Sequence, residues 1–252
     1  MKWDVGAAVS ELDGGLRALA DEGRAVQEKR YLKSALVHLG ITVPALRREA
    51  RRFAGAHPEL GVPELRRLVR ALWETGVYEH RAAAVELLEL RQPLLGPEDL
   101  ELLEALIRAS GTWALVDNLA ASVTGRLVER HPSLHARLDR WSADGDFWVR
   151  RSALLAHLLP LRSGGGDFER FSAYADAMLD EREFFIRKAI GWVLRETGKK
   201  RPELVLEWLL PRASRAAGLT VREAVRYLPP AAQAAVLAAR KSPAESRLEG
   251  AR

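Results

Sequence analysis

Residues 183–200 read EFFIRKAIGWVLRETGKK, and the pattern in this stretch sets the fold class. At about 100° per residue around a helix axis, Ile186, Ala189, Ile190 and Val193 fall in one sector. That is the apolar stripe of a helix with one face in a core. Lys188, Trp192 and Arg195 follow one another at i, i+4 and i+7 along one edge of the stripe. Two readings of that row are open. Trp192 is either a boundary aromatic flanked by solvated cations, or the aromatic set into a phosphate-binding row.

Helical periodicities recur on both sides of this stretch, separated by short Gly, Pro and Asp punctuation, and no alternating strand pattern of useful length interrupts them. The expected fold is all-α. Toward the C-terminus, residues 202–210 pair with 220–228. Toward the N-terminus the pairs are 167–179 with 182–199, 132–141 with 146–161, and 97–110 with 112–130. A stripe of Leu65, Leu68, Val69, Leu72 and Trp73 pairs with residues 82–90. Helical pairs recurring every 30 to 40 residues or so are HEAT-like in period. Such pairs stack into a curved solenoid whose concave face suits a long ligand such as DNA.

Nearer the start, one helix is expected over residues 5–22 and a second over 30–39, stopped by Gly40. Thr42 then caps a third, with Pro44 in its first turn. Its outer face carries Arg47, Arg48, Arg51 and Arg52, either a solvated face or a set of phosphate contacts. The whole is expected to be one domain over residues 1–240, followed by a polar, disordered and dispensable tail.

With 252 residues, 48% of them hydrophobic, the chain can bury a large core. Lys and Arg number 39 against 34 Asp and Glu, a formal charge of +5. That excess favours an acidic partner if the cations share a surface. The absence of cysteine excludes disulfides, thiolate zinc sites and a cysteine nucleophile. Asp4 and Glu11 interrupt any leader-like run, and no stretch approaches the roughly 20 apolar residues of a membrane span. A soluble, cytoplasmic monomer is expected.

RSGGGD at 162–167 lacks the Gly-Lys-Ser/Thr ending of a phosphate loop, and Gly198-Lys199-Lys200 follows a helix instead of opening one. His131 and His135 have i, i+4 spacing, but Pro132 lies between them and no carboxylate partner is apparent. Neither metal nor cofactor is expected.

The informative residues are polar ones on the wrong side of their helices. Trp113 and Asp117 sit one turn apart at the edge of the stripe Val116, Leu119, Ala120, Val123 and Leu127, which on its own reads more readily as a boundary pair than as a site. Arg151 projects into the stripe formed with Leu155 and Leu158, whereas Arg150 points away. A buried arginine needs a polar partner, and Asp117 is the nearest candidate by position. Second helices of successive pairs line one surface of a solenoid, so these residues are expected to converge.

Five segments carry a family resemblance: RYLKSALVHLGITVPALRR, TWALVDNL, DFWVRRSALLAHL, EFFIRKAIGWVLRETGKKRPE and LTVREAVRYL. Together they resemble the AlkD-like DNA alkylation repair glycosylases, which are built of HEAT-like repeats, over nearly the whole chain. The resemblance implies that Trp113 and Trp192 are the active-site tryptophans, Asp117 the catalytic carboxylate and Arg151 an arginine that engages DNA near the lesion. Tyr31, in the RYxK segment, matches an aromatic near the site. Lys188, Arg195 and Arg150 join them as candidate DNA contacts.

The implied activity is excision of N3-methyladenine and N7-methylguanine from double-stranded DNA, without metal or cofactor, leaving an abasic site. Two other readings stand beside it: a non-catalytic helical-repeat binder of unusual DNA structures, and a glycosylase for bulky alkyl adducts. A pure binder has no need of Asp117, whose charge repels phosphate.

Overall fold

The computed structural model describes residues 3–241. The described chain is all-α, built of helical pairs, and its contacts divide it into two compact units, one up to Pro132 and the other from Ser133 onward. None of the described helices is long and apolar enough to cross a membrane.

The first unit contains α1 (Val5–Arg17), α2 (Glu22–Leu32), α3 (Val43–Ala56), α4 (Val62–Glu74), α5 (Tyr78–Leu90), α6 (Asp99–Arg108), α7 (Trp113–Asn118) and α8 (Gly125–Arg130). Its core forms where the apolar stripes meet. Leu65, Leu68, Val69 and Leu72 of α4 are at most 1% exposed, and α4 lies against α1 and α5.

The beginning of this unit differs from the sequence expectation. The opening helix ends at Arg17, because Asp21 caps the next one through a 2.9 Å bond from the Arg24 amide. The second helix stops at Lys33, which takes the left-handed conformation with φ of 49°. Residues 34–42 are therefore not helical. The Val37 amide donates to the Gly76 carbonyl at 3.0 Å, and the Tyr78 amide donates to Val37 at 2.8 Å, making an isolated bridge between Val37 and Val77.

The physical reason is Glu79, fully buried on α5. Its carboxylate accepts from the amides of Leu39 (2.9 Å), Gly40 (2.7 Å) and Ile41 (3.3 Å), a satisfaction that a helix would have supplied internally. Gly40 is thus no helix stop. It has φ of +78°, and a Cβ there would come within 2.1 Å of the Asp21 carbonyl oxygen, so only glycine fits.

α7 and α8 are joined by a six-residue π-helical segment, Leu119–Thr124, that keeps the helix continuous. The predicted stripe survives it: Val116, Leu119, Ala120, Val123 and Leu127 are all fully buried.

The second unit contains α9 (His135–Trp141), α10 (Phe147–Leu155), α11 (Leu158–Arg162), α12 (Phe168–Ala177), α13 (Phe184–Gly198), α14 (Pro202–Leu209), α15 (Gly218–Ala224) and α16 (Pro230–Lys241). The helix expected over 146–161 is broken at Ala156 and His157. Pro160 has no amide hydrogen to offer the carbonyl four residues earlier, at Ala156, so the helix restarts there. α16 was not anticipated, and because it includes Lys241 the chain is still helical where the polar tail was expected to begin. The rest of that expected tail lies outside the described residues.

Candidate functional site

Gly111, with φ of +65°, and extended Thr112 turn the chain so that Trp113 opens α7. Trp113 is half-buried. Tyr31, near the end of α2 and 71% exposed, meets it edge-on, with ring centroids 6.0 Å apart and planes at 84°. Such T-shaped pairs are worth about 0.5–1.5 kcal/mol beyond their burial. Asp117 lies one turn along α7 and is also half-buried. The π segment begins two residues later, a local widening often found beside functional residues.

In the second unit, Asp146 caps α10 through the Trp148 amide at 2.8 Å. Arg151 is only 2% exposed, as its place in the stripe predicts. Its guanidinium donates to the Phe185 carbonyl and stands 5.7 Å from the centre of the Phe185 ring. Phe185 packs on Trp148, with centroids 4.8 Å apart, so Arg151 ties α10 to the first turn of α13.

Arg150 points elsewhere. It grips Glu181 with Nε at 2.9 Å and Nη2 at 2.8 Å, while Nη1 donates to the carbonyls of Asp144 (2.6 Å) and Gly145 (3.1 Å). This bidentate pair braces the turn before α10 against the residues leading into α13.

Trp192 is half-buried on α13, and the cations on either side of it have the same partner. Lys188 Nζ is 3.5 Å from one oxygen of Glu223, and Arg195 Nη1 donates to the other. Neither the solvated flank nor the open phosphate row anticipated this clasp. Gly191 makes it possible: a Cβ at that position would come 2.8 Å from Cβ of Glu223 and 3.0 Å from the Thr220 carbonyl oxygen. Glycine in a helix interior costs about 0.5–1 kcal/mol against alanine, and here it lets α15 approach closely enough for Thr220 Oγ to donate to the Arg187 carbonyl at 3.0 Å.

Below the clasp, Glu196 is 5% exposed and meets Lys199 at 2.7 Å and Arg162 at 3.3 Å. Burial pushes its carboxyl upward. The Lys199 hydrogen bond and the charges of Lys199, Arg162 and Arg195 outweigh that and hold it below the usual carboxylate range.

The structure therefore joins Tyr31 to Trp113 within the first unit, and sets Trp192 between two paired cations within the second. It sends Arg150 and Arg151 to different partners. Phe185 and Glu223 were missed by sequence reasoning. Both lie inside the blocks EFFIRK and LTVREAV, but their roles depend on contacts across 34 and 28 residues respectively.

The sequence model of a family described as DNA alkylation repair enzyme matches residues 12–228. Comparison with curated proteins returns no match. Among solved structures, a predicted DNA alkylation repair enzyme from Enterococcus faecalis superposes with a TM-score of 0.74 at 23% identity, covering 84% of this chain and 97% of its own. AlkD2 from Streptococcus mutans gives 0.63 at 16% identity, covering 89% and 99%. The smu.31 protein from Streptococcus mutans UA159 gives 0.58 at 18%, covering 73% and 94%. At these identities the likeness is one of fold.

Proposed function

The chain belongs to the DNA alkylation repair enzymes, and from that premise we propose that it is a monofunctional DNA glycosylase acting on alkylated, positively charged purines in duplex DNA. The observation that carries the reading is Trp113 at the head of α7, with Tyr31 against its ring and Asp117 one turn below. Aromatic faces attract a cation, and a carboxylate beside them suits a sugar that turns cationic as it reacts.

In this reading the C1′–N bond breaks with its electron pair going to the base, which leaves neutral because alkylation had made it cationic. The deoxyribose passes through an oxocarbenium-like state, as in glycoside hydrolysis. Asp117 stabilises that charge electrostatically and aligns a water. The water oxygen bonds to C1′, its proton is released to solvent through the carboxylate, and an abasic site remains. The family resemblance assigns Trp113 and Trp192 each to the sugar and Arg151 to DNA near the lesion, and Tyr31 supports Trp113. Lys188, Arg195 and Arg150 serve as contacts to the DNA backbone only by giving up part of their present ion pairs.

The test is single-turnover release of N7-methylguanine from methylated duplex. Asp117→Asn should slow it by about 10²–10³, the usual loss when one preorganised electrostatic group is removed, with undamaged duplex bound at least as tightly. A variant with the wild-type rate would remove Asp117 from the reaction. The high exposure of Tyr31 favours tolerance of bulky adducts as well, and a lesion panel of graded size measures it: a sharp cut-off at the methyl group would end that extension.

A further inference from the structure

We infer that Glu28, His38 and Glu79 form a binding site for a divalent transition-metal ion, and that the ion clips α2 and the loop after it to α5. One donor atom from each of the three side chains lies within 4.8 Å of the other two. Each has a free valence. Glu79 spends three interactions on the amides of residues 39–41, and a carboxylate offers about four lone-pair sites. Glu28 gives Oε1 to Arg24 at 3.0 Å, while its Oε2 is buried without a hydrogen-bond partner.

His38 is the strongest indication. Its side chain is 1% exposed, its ring is stacked on Tyr78 with centroids 4.6 Å apart, and both ring nitrogens are buried without a hydrogen-bond partner. Buried imidazole nitrogens are ordinarily satisfied. His38 Nδ1 stands 4.0 Å from Glu28 Oε2, too far for a hydrogen bond. Two ligand atoms bonded to one tetrahedral ion at about 2.0–2.2 Å each stand roughly 3.3–3.6 Å apart, so His38 and Glu28 must close by about half an ångström to take an ion between them. One imidazole with two carboxylates suits zinc and its first-row neighbours, with water completing the shell.

Such a clip would matter because α2 is poorly held otherwise: of its residues only Leu32 is buried. Tyr31 stands on the same helix, one turn past Glu28, so an ion that fixes α2 also fixes the Tyr31–Trp113 contact. The inference is independent of the glycosylase reading, since binding and stability report it without any substrate.

The experiment uses the full chain, stripped with a chelator and titrated with zinc chloride at neutral pH by calorimetry. Metal content after dialysis and the thermal midpoint are measured alongside. One zinc per chain and a raised midpoint are expected, with both effects lost in Glu28→Gln and in His38→Phe, which keeps a ring against Tyr78 while removing the nitrogens. Should His38→Phe fail to fold, nitrogen NMR of the wild-type histidine rings decides: zinc must shift a His38 ring nitrogen. No uptake by the wild type, unaltered uptake by Glu28→Gln, or an unmoved His38 resonance would each overturn the site.

Discussion

Lys188 and Arg195 both end on Glu223, so a phosphate approaching Trp192 meets two cations that are already paired. Glu223→Gln keeps the side-chain shape and removes the charge that holds them. Binding of undamaged duplex should tighten at low salt, and the slope of log affinity against log salt should steepen by about one to two contacts. An unchanged slope across the salt series would turn both cations away from the DNA. Arg151 gives a second residue-scale expectation. Arg151→Lys retains charge but loses the planar fork that reaches the Phe185 carbonyl and faces its ring. Urea unfolding should show a loss of about 1–3 kcal/mol, the cost of an unmade buried hydrogen bond. Sequence reading singled out Trp113 and Asp117 as candidates because they share a helix edge, and placed Arg151 in the core because it interrupts a stripe, which its burial matches. It gave no means of finding Glu223 or Phe185, since a helical wheel identifies the edge a residue occupies but not what lies opposite.

At the scale of elements, Gly191→Ala is the most direct test of how α13 meets α15. The added methyl collides with Glu223 and the Thr220 backbone, and overpacking of this kind typically costs about 1–3 kcal/mol despite alanine's better helix propensity. The denaturation midpoint should fall with an unchanged slope; a stabilised protein would mean that α15 yields easily. The helices themselves were legible wherever a stripe ran for three turns, as in α4, α6 and α13. The errors have local causes. Gly40 looked like a helix stop, but its own amide and those of Leu39 and Ile41 are claimed by Glu79 from α5. Pro160 divided what periodicity joined. α16 begins PAAQAAVLAAR, an alanine-rich run whose weak stripe, with only Val236 buried, left it unrecognised.

At the scale of the whole molecule, each unit carries its own buried polar groups, and these set its response to acid. In the second unit, burial, followed by the positive charge of His135, pushes His157 down to about 4 from its ordinary 6.5. Between those values the unfolded chain binds the proton more readily than the folded one. Stability is therefore full above pH 6.5 and falls as the pH drops toward 4, by up to roughly 3 kcal/mol for this group. His157→Leu should flatten that part of the curve when urea midpoints are compared between pH 7 and pH 4.5; an unaltered curve would assign the acid sensitivity to other groups. The buried carboxylate of Glu79 has a further consequence, which concerns time. The amides of Leu39, Gly40 and Ile41 belong to an irregular segment, and such amides ordinarily exchange with solvent quickly. Their acceptor sits on α5, about 40 residues along the chain, so they exchange only when the segment separates from α5, and their protection factors report the stability of that long-range contact.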